Sequence, residues 1–165
     1  MKNKTDNSTV LDPLDLRLLD LLQTDASRSN QELADAARVS PATALRRVRR
    51  LVENGVIERR VALLSAAAGG LTAIAEVTLD RQGAEHLAAF EARACAEGAV
   101  QQCYRVSPGP DFMLVIWVND MAAHHALVQR LFTQDANVRN VKVFFSVHRA
   151  KFDPRMSLRP PAENR

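Results

Sequence analysis

Apolar and polar positions follow two different periods along this 165-residue chain. In the first third the apolar residues recur every three or four positions, the spacing of a helix face. Leu14, Leu18, Leu21 and Leu22 keep that spacing, and Leu16 and Leu19 thicken the face. Asp12 is placed to cap this helix, with Pro13 in its first turn, and the pattern ends near Thr24. After the polar stretch DASR, residues 29–55 read SNQELADAARVSPATALRRVRRLVENG. Two short helices joined by a tight turn are predicted here, because each start carries its own cap. Ser29 stands three residues before Glu32, a reciprocal capping box. Ser40 precedes Pro41, a hydroxyl cap followed by a residue pre-set for the first helical position. Leu33, Ala36, Ala37 and Val39 supply the first of the two helices with a small apolar face, and Gly55 suits a left-handed stop to the second.

Beyond that point the period changes. The segment VIERRVALL after Gly55 is β-branched and basic, as a short strand or wing would be, and SAAAGG at 65–70 reads as a boundary. Leu71, Ala73, Ala75, Val77 and Leu79 alternate with Thr72, Ile74, Glu76, Thr78 and Asp80, the mark of a half-buried strand. Residues 84–97 return to helical spacing through Leu87, Phe90 and Ala94. Val100–Val106 is a second strand, Pro108-Gly109-Pro110 forces a turn, and FMLVIWV at 112–118 is a central strand, buried on both sides or against a dimer mate. Asp120 caps a helix that buries Leu127, Val128, Leu131 and Phe132. A last strand over 138–148 places Val141, Val143, Phe145 and Val147 on one face. The order β-α-β-β-α-β is the ferredoxin-like split unit, so the fold class is α+β: a winged helix-turn-helix followed by a ferredoxin-like βαββαβ domain. The boundaries read 1–11 as a disordered lead-in, 12–64 as the helix-turn-helix with its linking strand, 65–152 as the second domain and 153–165 as a flexible tail.

Charge sharpens the reading of the second capped helix. On a wheel of 100° per residue, Ala44, Leu45, Val48, Leu51 and Val52 face a core, while Thr43, Arg46 and Arg50 lie opposite. Ala42 and Arg49 lie on one flank and Arg47 on the other. A small-residue start with an arginine-rich outer face suits the major groove of DNA. The net charge of +3 is unevenly spread: residues 38–60 hold seven Arg and two Glu, whereas 65–148 hold six basic and eight acidic side chains. That asymmetry fits a polyanion at one end only.

Other chemistry is sparse. Cys95 and Cys103 make neither a disulfide framework nor a metal spacing, and Cys95, eight residues after Leu87, reads as a reduced core thiol. His124 and His125 point about 100° apart on a helix, and His86 and His148 are distant in sequence, so surface or interface histidines are expected and no zinc site. No cofactor is expected. The polar start MKNKTDNSTV has no apolar core, and no apolar run approaches the ~18–20 residues of a membrane span, which points to the cytoplasm and no membrane partner.

The stretches LDPLDLRLLDLLQ, SNQELADAARVSPATALRRVRRLVENGVI and VSPGPDFMLVIWV together resemble the Lrp/AsnC (leucine-responsive, feast/famine) family of prokaryotic transcription regulators. The resemblance spans roughly residues 11–152. It implies a DNA-binding regulator of amino-acid metabolism genes that reads a palindromic operator as a dimer, tetramer or octamer and senses a small effector such as an amino acid. Ser40, Pro41, Thr43, Arg46, Arg47 and Arg50 match the family's recognition helix. Thr43 and Arg46 are expected on base edges; Ser40, Arg47 and Arg50 are expected mainly on phosphate. Arg47 flanks the core, so an ion pair to its own domain is its other reading.

The resemblance also implies an effector site at Ser107, Gly109 and Asp111. The family commonly carries a glycine three residues before this aspartate; here that position is Pro108. Prolines lack the N–H groups that cradle a carboxylate. Either the pocket is reshaped for another effector or this chain answers to none; the other reading of Asp111 is a turn residue that caps the strand entry. Two other classes share the architecture: an architectural DNA-binding protein without an effector, and a siroheme-decarboxylase-like subunit. The enzyme reading has no Ser-His-Asp, Cys-His or phosphate-loop pattern behind it. Pairing two sheets face to face would bury FMLVIWV and VKVFFSV, so a homodimer is expected.

Overall fold

A computed structural model describes residues 10–158. Two compact units form: one is the chain up to Leu63 together with the segment from Phe152, the other is Leu64–Lys151.

The first unit is three helices. Helix α1 spans Pro13–Thr24, α2 Asn30–Ala37 and α3 Pro41–Glu53. Asp12 Oδ1 accepts the N–H groups of Leu14 and Asp15, while Asp15 Oδ2 accepts that of Asp12, so two aspartates make the capping box of α1. Ser29 and Glu32 form the corresponding box at α2, as their spacing predicts. The core between the helices is Leu18, Leu22, Leu33, Ala34, Ala37, Ala44 and Val48. Ala34 takes the buried place expected of Ala36, which is exposed. On α3 only Ala44, Val48 and Leu51 are buried; Leu45 and Val52 are 41% and 46% exposed. The reason is the width of the seam: one stripe at i, i+4 and i+7 is covered, and residues about 80–100° further round lie at its edge.

Gly55 takes φ +70 after α3, with its N–H on Val52 O. The following residues 56–64 form no strand, so the expected wing strand is absent from this segment. An extended segment without a partner strand cannot close a ladder. Of the tail expected to be flexible, residues 153–158 are described: Gln23 Nε2 donates to Met156 O and Gln23 Oε1 accepts from the Met156 N–H; residues 159–165, like residues 1–9 of the expected lead-in, lie outside the described residues.

The second unit is a four-stranded antiparallel sheet in the order β2-β3-β1-β4. Strand β1 is Leu71–Leu79, α4 Ala84–Ala96, β2 Val100–Arg105, β3 Phe112–Val118, α5 Met121–Val128 and β4 Val138–Phe145. Helix α5 continues into a π-helical turn over Gln129–Thr133. Ala73, Ala75, Val77, Leu79, Phe112, Leu114, Ile116 and Val118 make the buried face of the central strands, with Phe90, Ala94, Leu127, Leu131 and Phe132 from the helices. FMLVIWV is therefore buried on alternate residues only. Met113, Val115 and Trp117 share the other face, in register with Glu76, Ile74 and Thr72. Ile74, Tyr104 and Phe144 on that face are 40–53% exposed. A Cβ at Gly70, whose φ is +84, would stand 2.6 Å from the Trp117 indole, so the chain passes tightly under that ring.

Three side chains lie otherwise than expected, each for a local reason. Cys95 is exposed, because the buried stripe of α4 runs through Phe90 and Ala94 and the next residue turns away. Val147 lies beyond the end of β4 and is fully exposed. His124, expected at the surface or an interface, is buried within its unit with its ring 4.8 Å from that of Phe145. Burial, and then the neighbouring His125, pushes its pKa down, so it is neutral near pH 7.

The turn between α2 and α3 rests on Arg38 at φ 57 and ψ 50, a left-handed conformation in a residue with a Cβ. Arg38→Gly relieves that strain and should stabilise the helical unit by about 0.5–1 kcal/mol. Urea unfolding followed by helical circular dichroism checks this; an unchanged or lower midpoint would mean the arginine side chain offsets its own strain.

Candidate nucleic-acid interface

Helix α3 owes its start to Ser40, whose Oγ accepts the Thr43 N–H at 3.2 Å. The same oxygen lies 2.9 Å from Thr43 Oγ1, so the two hydroxyls are bonded to each other at the helix mouth. Ser40, Pro41 and Ala42 are exposed beside the half-buried Thr43. One turn further on, Arg46 and Arg49 are exposed, and neither has an acidic partner among the described residues.

Arg47 and Arg50 stand differently: both make ion pairs within their own unit, the other reading given above for Arg47. Arg47 Nη1 lies 2.5 Å from Asp12 Oδ2 and 3.3 Å from Asp15 Oδ1. Arg50 Nη2 lies 2.5 Å from Asp15 Oδ2. The Asp15 side chain is fully buried, and the Nε atoms of both arginines are buried without a hydrogen-bond partner. A buried carboxylate is tolerated only when it is paired and hydrogen-bonded. Both guanidinium groups supply that pairing from the edge of their own unit, each still partly open to solvent. The wheel placed Arg50 opposite the core because it treated a core as apolar; a buried acid on α1 draws the arginine inward. The converse case is Arg49, on a flank of the wheel, which is exposed and has no acidic partner among the described residues. Its signal was the charge itself, on a helix where Arg47 and Arg50 pair with the acids of α1.

Electrostatics follow from this geometry. The two acids and two arginines of the cluster cancel, so the outer face of α3 carries Arg46 and Arg49 as its uncommitted charges. The Asp15 N–H first, and then the Arg47 guanidinium, holds the Asp12 carboxyl below the usual carboxylate range. Asp12 in turn raises the pKa of Arg47.

In the sheet unit, Ser107, Gly109 and Asp111 come together in the loop between β2 and β3. Ser107 and Gly109 are exposed, and Gly109 has φ +120, with open space where a Cβ would stand. Asp111 Oδ2 accepts the Leu79 N–H at 2.7 Å and Gln82 Nε2 at 3.3 Å. That oxygen caps the end of β1. Among the described residues no group of three His, Cys, Asp or Glu could hold a metal ion, and no helix is long and apolar enough to cross a membrane.

A capped helix-turn-helix with a basic outer face, followed by a βαββαβ sheet unit, is the architecture of a two-domain DNA-binding regulator. Comparison with known proteins agrees in both halves. A winged helix-turn-helix DNA-binding model matches residues 11–58, and the Lrp/AsnC ligand binding domain matches residues 72–156. The chain belongs to the Lrp/AsnC family of transcriptional regulators. It is 37% identical to an uncharacterized HTH-type transcriptional regulator of Haemophilus influenzae, over 87% of this chain and 86% of that one. It is 36% identical to the leucine-responsive regulatory protein of Rhizobium meliloti, over 86% and 92% of the two chains. A transcriptional regulator of Neisseria meningitidis solved as its L-Met complex superposes with a TM-score of 0.80 at 26% identity, covering 90% of this chain and 97% of that one.

The depressed pKa of Asp12 has a definite sign in stability. Its contribution is complete above the ordinary carboxylate pKa of about 4 and is lost as pH falls through the lower folded value. The helical unit should therefore lose thermal stability below about pH 4, and Asp12→Asn should flatten part of that fall. Melting temperatures taken across that window check it; parallel curves for the two proteins would remove Asp12 from the linkage.

Proposed function

We propose that this protein is a sequence-specific operator-binding regulator that lays the N-terminal half of α3 in the major groove and is tuned by an amino acid. In this reading Thr43 and Arg46 meet base edges. Arg49 and the helix start at Ser40 and Pro41 meet phosphate. The observation that carries it is that Arg46 and Arg49 are exposed and have no acidic partner among the described residues, on a helix whose remaining arginines are paired with Asp12 and Asp15. The effector would sit against the exposed loop at Ser107 and Gly109, with Asp111 shaping the loop from its place on Leu79. Support for an amino acid comes from the ligand-binding description of the matched family and from the L-Met complex of the Neisseria meningitidis protein. The genes under control would then be those of amino-acid metabolism, and the protein would act in the cytoplasm beside its DNA.

The open sheet face supports a homodimer as the working unit. Met113, Val115, Trp117, Ile74 and Phe144 leave apolar area on one side of a four-stranded sheet. Pairing two such faces removes it from water and spaces two recognition helices for palindromic half-sites. Dimers of this kind would go on to build a tetramer or octamer.

Fluorescence anisotropy on duplexes from the protein's own upstream DNA, at fixed salt and with a panel of amino acids, tests the reading. Competitor-resistant binding shifted by one amino acid is expected. Tight binding indifferent to every amino acid would favour an architectural role. Arg46→Ala should cost about 1–3 kcal/mol at one base pair and relax preference there; equal affinity for all bases in the parent protein would sink the groove assignment. Val115→Asp, at the centre of the open face, should give a monomer in sedimentation, and an undisturbed assembly would reject the sheet-to-sheet interface.

A further inference from the structure

The pairing of Arg47 and Arg50 has a consequence for how strongly this helix can attract DNA of any sequence. Helix α3 carries four arginines, at positions 46, 47, 49 and 50. Each arginine that neutralises a phosphate adds about 0.9 to the salt slope of binding and adds affinity without regard to sequence. Base-edge contacts alone discriminate. A recognition helix with four free arginines would therefore bind random DNA well.

Asp12 divides its two oxygens between two tasks. Oδ1 accepts the Leu14 and Asp15 N–H groups at 3.0 and 2.9 Å and caps α1. Oδ2 takes no part in those bonds and lies against Arg47 Nη1. A cap alone needs one acceptor, which Asn or Ser supplies as well. A second, charged oxygen matters only for the arginine. The Arg47 side chain keeps 21% of its surface exposed and that of Arg50 keeps 43%, so neither guanidinium is sealed from solvent.

We propose that Asp12 and Asp15 are specificity-setting residues, which withhold Arg47 and Arg50 from the phosphate backbone and so limit sequence-independent binding by α3. The inference rests on the DNA-binding reading above. Asp12 acts through Arg47 and touches no DNA; its role is to position and neutralise that side chain. Removing its charge leaves one acid between two arginines, and the cluster then presents one net positive charge beside the groove-facing side of the helix.

The test uses the full-length protein with two probes of equal length, an operator duplex and a random-sequence duplex, titrated by anisotropy across a NaCl series. Asp12→Asn keeps the capping oxygen and should fold as the parent does. It should bind the random duplex several-fold tighter, with a salt slope steeper by about one, and the ratio of operator to random affinity should fall. Adding Arg47→Gln to Asp12→Asn should return the slope to the parent value, because the released group is then gone. Asp12→Ser, which also caps without a charge, provides the same reading if the asparagine variant misfolds. A folded Asp12 variant with the parent's slope and the parent's affinity for random DNA would overturn the proposal and leave the DNA-binding reading standing. A parent protein that binds neither duplex would overturn both.

Discussion

A carboxylate without water needs a counter-charge close by, and in this protein that requirement ties the DNA-facing helix to the rest of its unit. Asp15 is fully buried at the start of α1, with Arg47 and Arg50 of α3 reaching it from one side and the Asp12 N–H from another. Breaking a buried pair by removing one partner costs about 3–5 kcal/mol, because the remaining charge stays in the interior. The apolar seam of Ala44, Val48 and Leu51 is narrow and made partly of small side chains, so by itself it allows α3 to roll or slide. The ion cluster removes that freedom. It helps to set which side of α3 points outward, and with it the exposure of Thr43, Arg46 and Arg49.

The sheet unit solves a different problem with the same economy of elements. One face of β1 and β3 is closed by α4, α5 and the π-helical turn, with Phe90 and Phe112 packed ring to ring at its centre. The opposite face is half apolar and carries the pair Lys142 to Glu76, at 3.9 Å, and the hydrogen bond from Tyr104 to Gln102. On the proposed reading a second copy covers that face, which sets two helix-turn-helix units on one DNA without any contact specific to the operator.

The loop between β2 and β3 shows how a change of residue alters the options of a site. Asp111 is held by the end of β1, so the part of the loop with freedom to meet a ligand is Ser107 to Pro110. Prolines at 108 and 110 subtract two backbone donors from it. An effector bound there would be recognised with fewer N–H groups and with more reliance on the Ser107 hydroxyl and the Gly109 backbone.

Helix starts, strand periods and the βαββαβ order were legible in the amino-acid sequence, because caps and periodicity are local properties. Ser29 with Glu32, Ser40 with Pro41, and the alternation from Leu71 to Leu79 each act within a few residues of themselves. The resemblance carried by residues 11–152 was legible for the same reason. The roles of individual arginines were not. Arg46, Arg47, Arg49 and Arg50 are chemically alike and adjacent, and what separates them is a pair of aspartates more than thirty residues earlier. The exposure of Leu45, Val52 and Cys95 likewise depended on how wide a stripe the neighbouring elements cover. Sequence determined which segments fold and into what; only tertiary packing decided which side chains of those segments are free, because burial and charge pairing are set by neighbours distant along the chain.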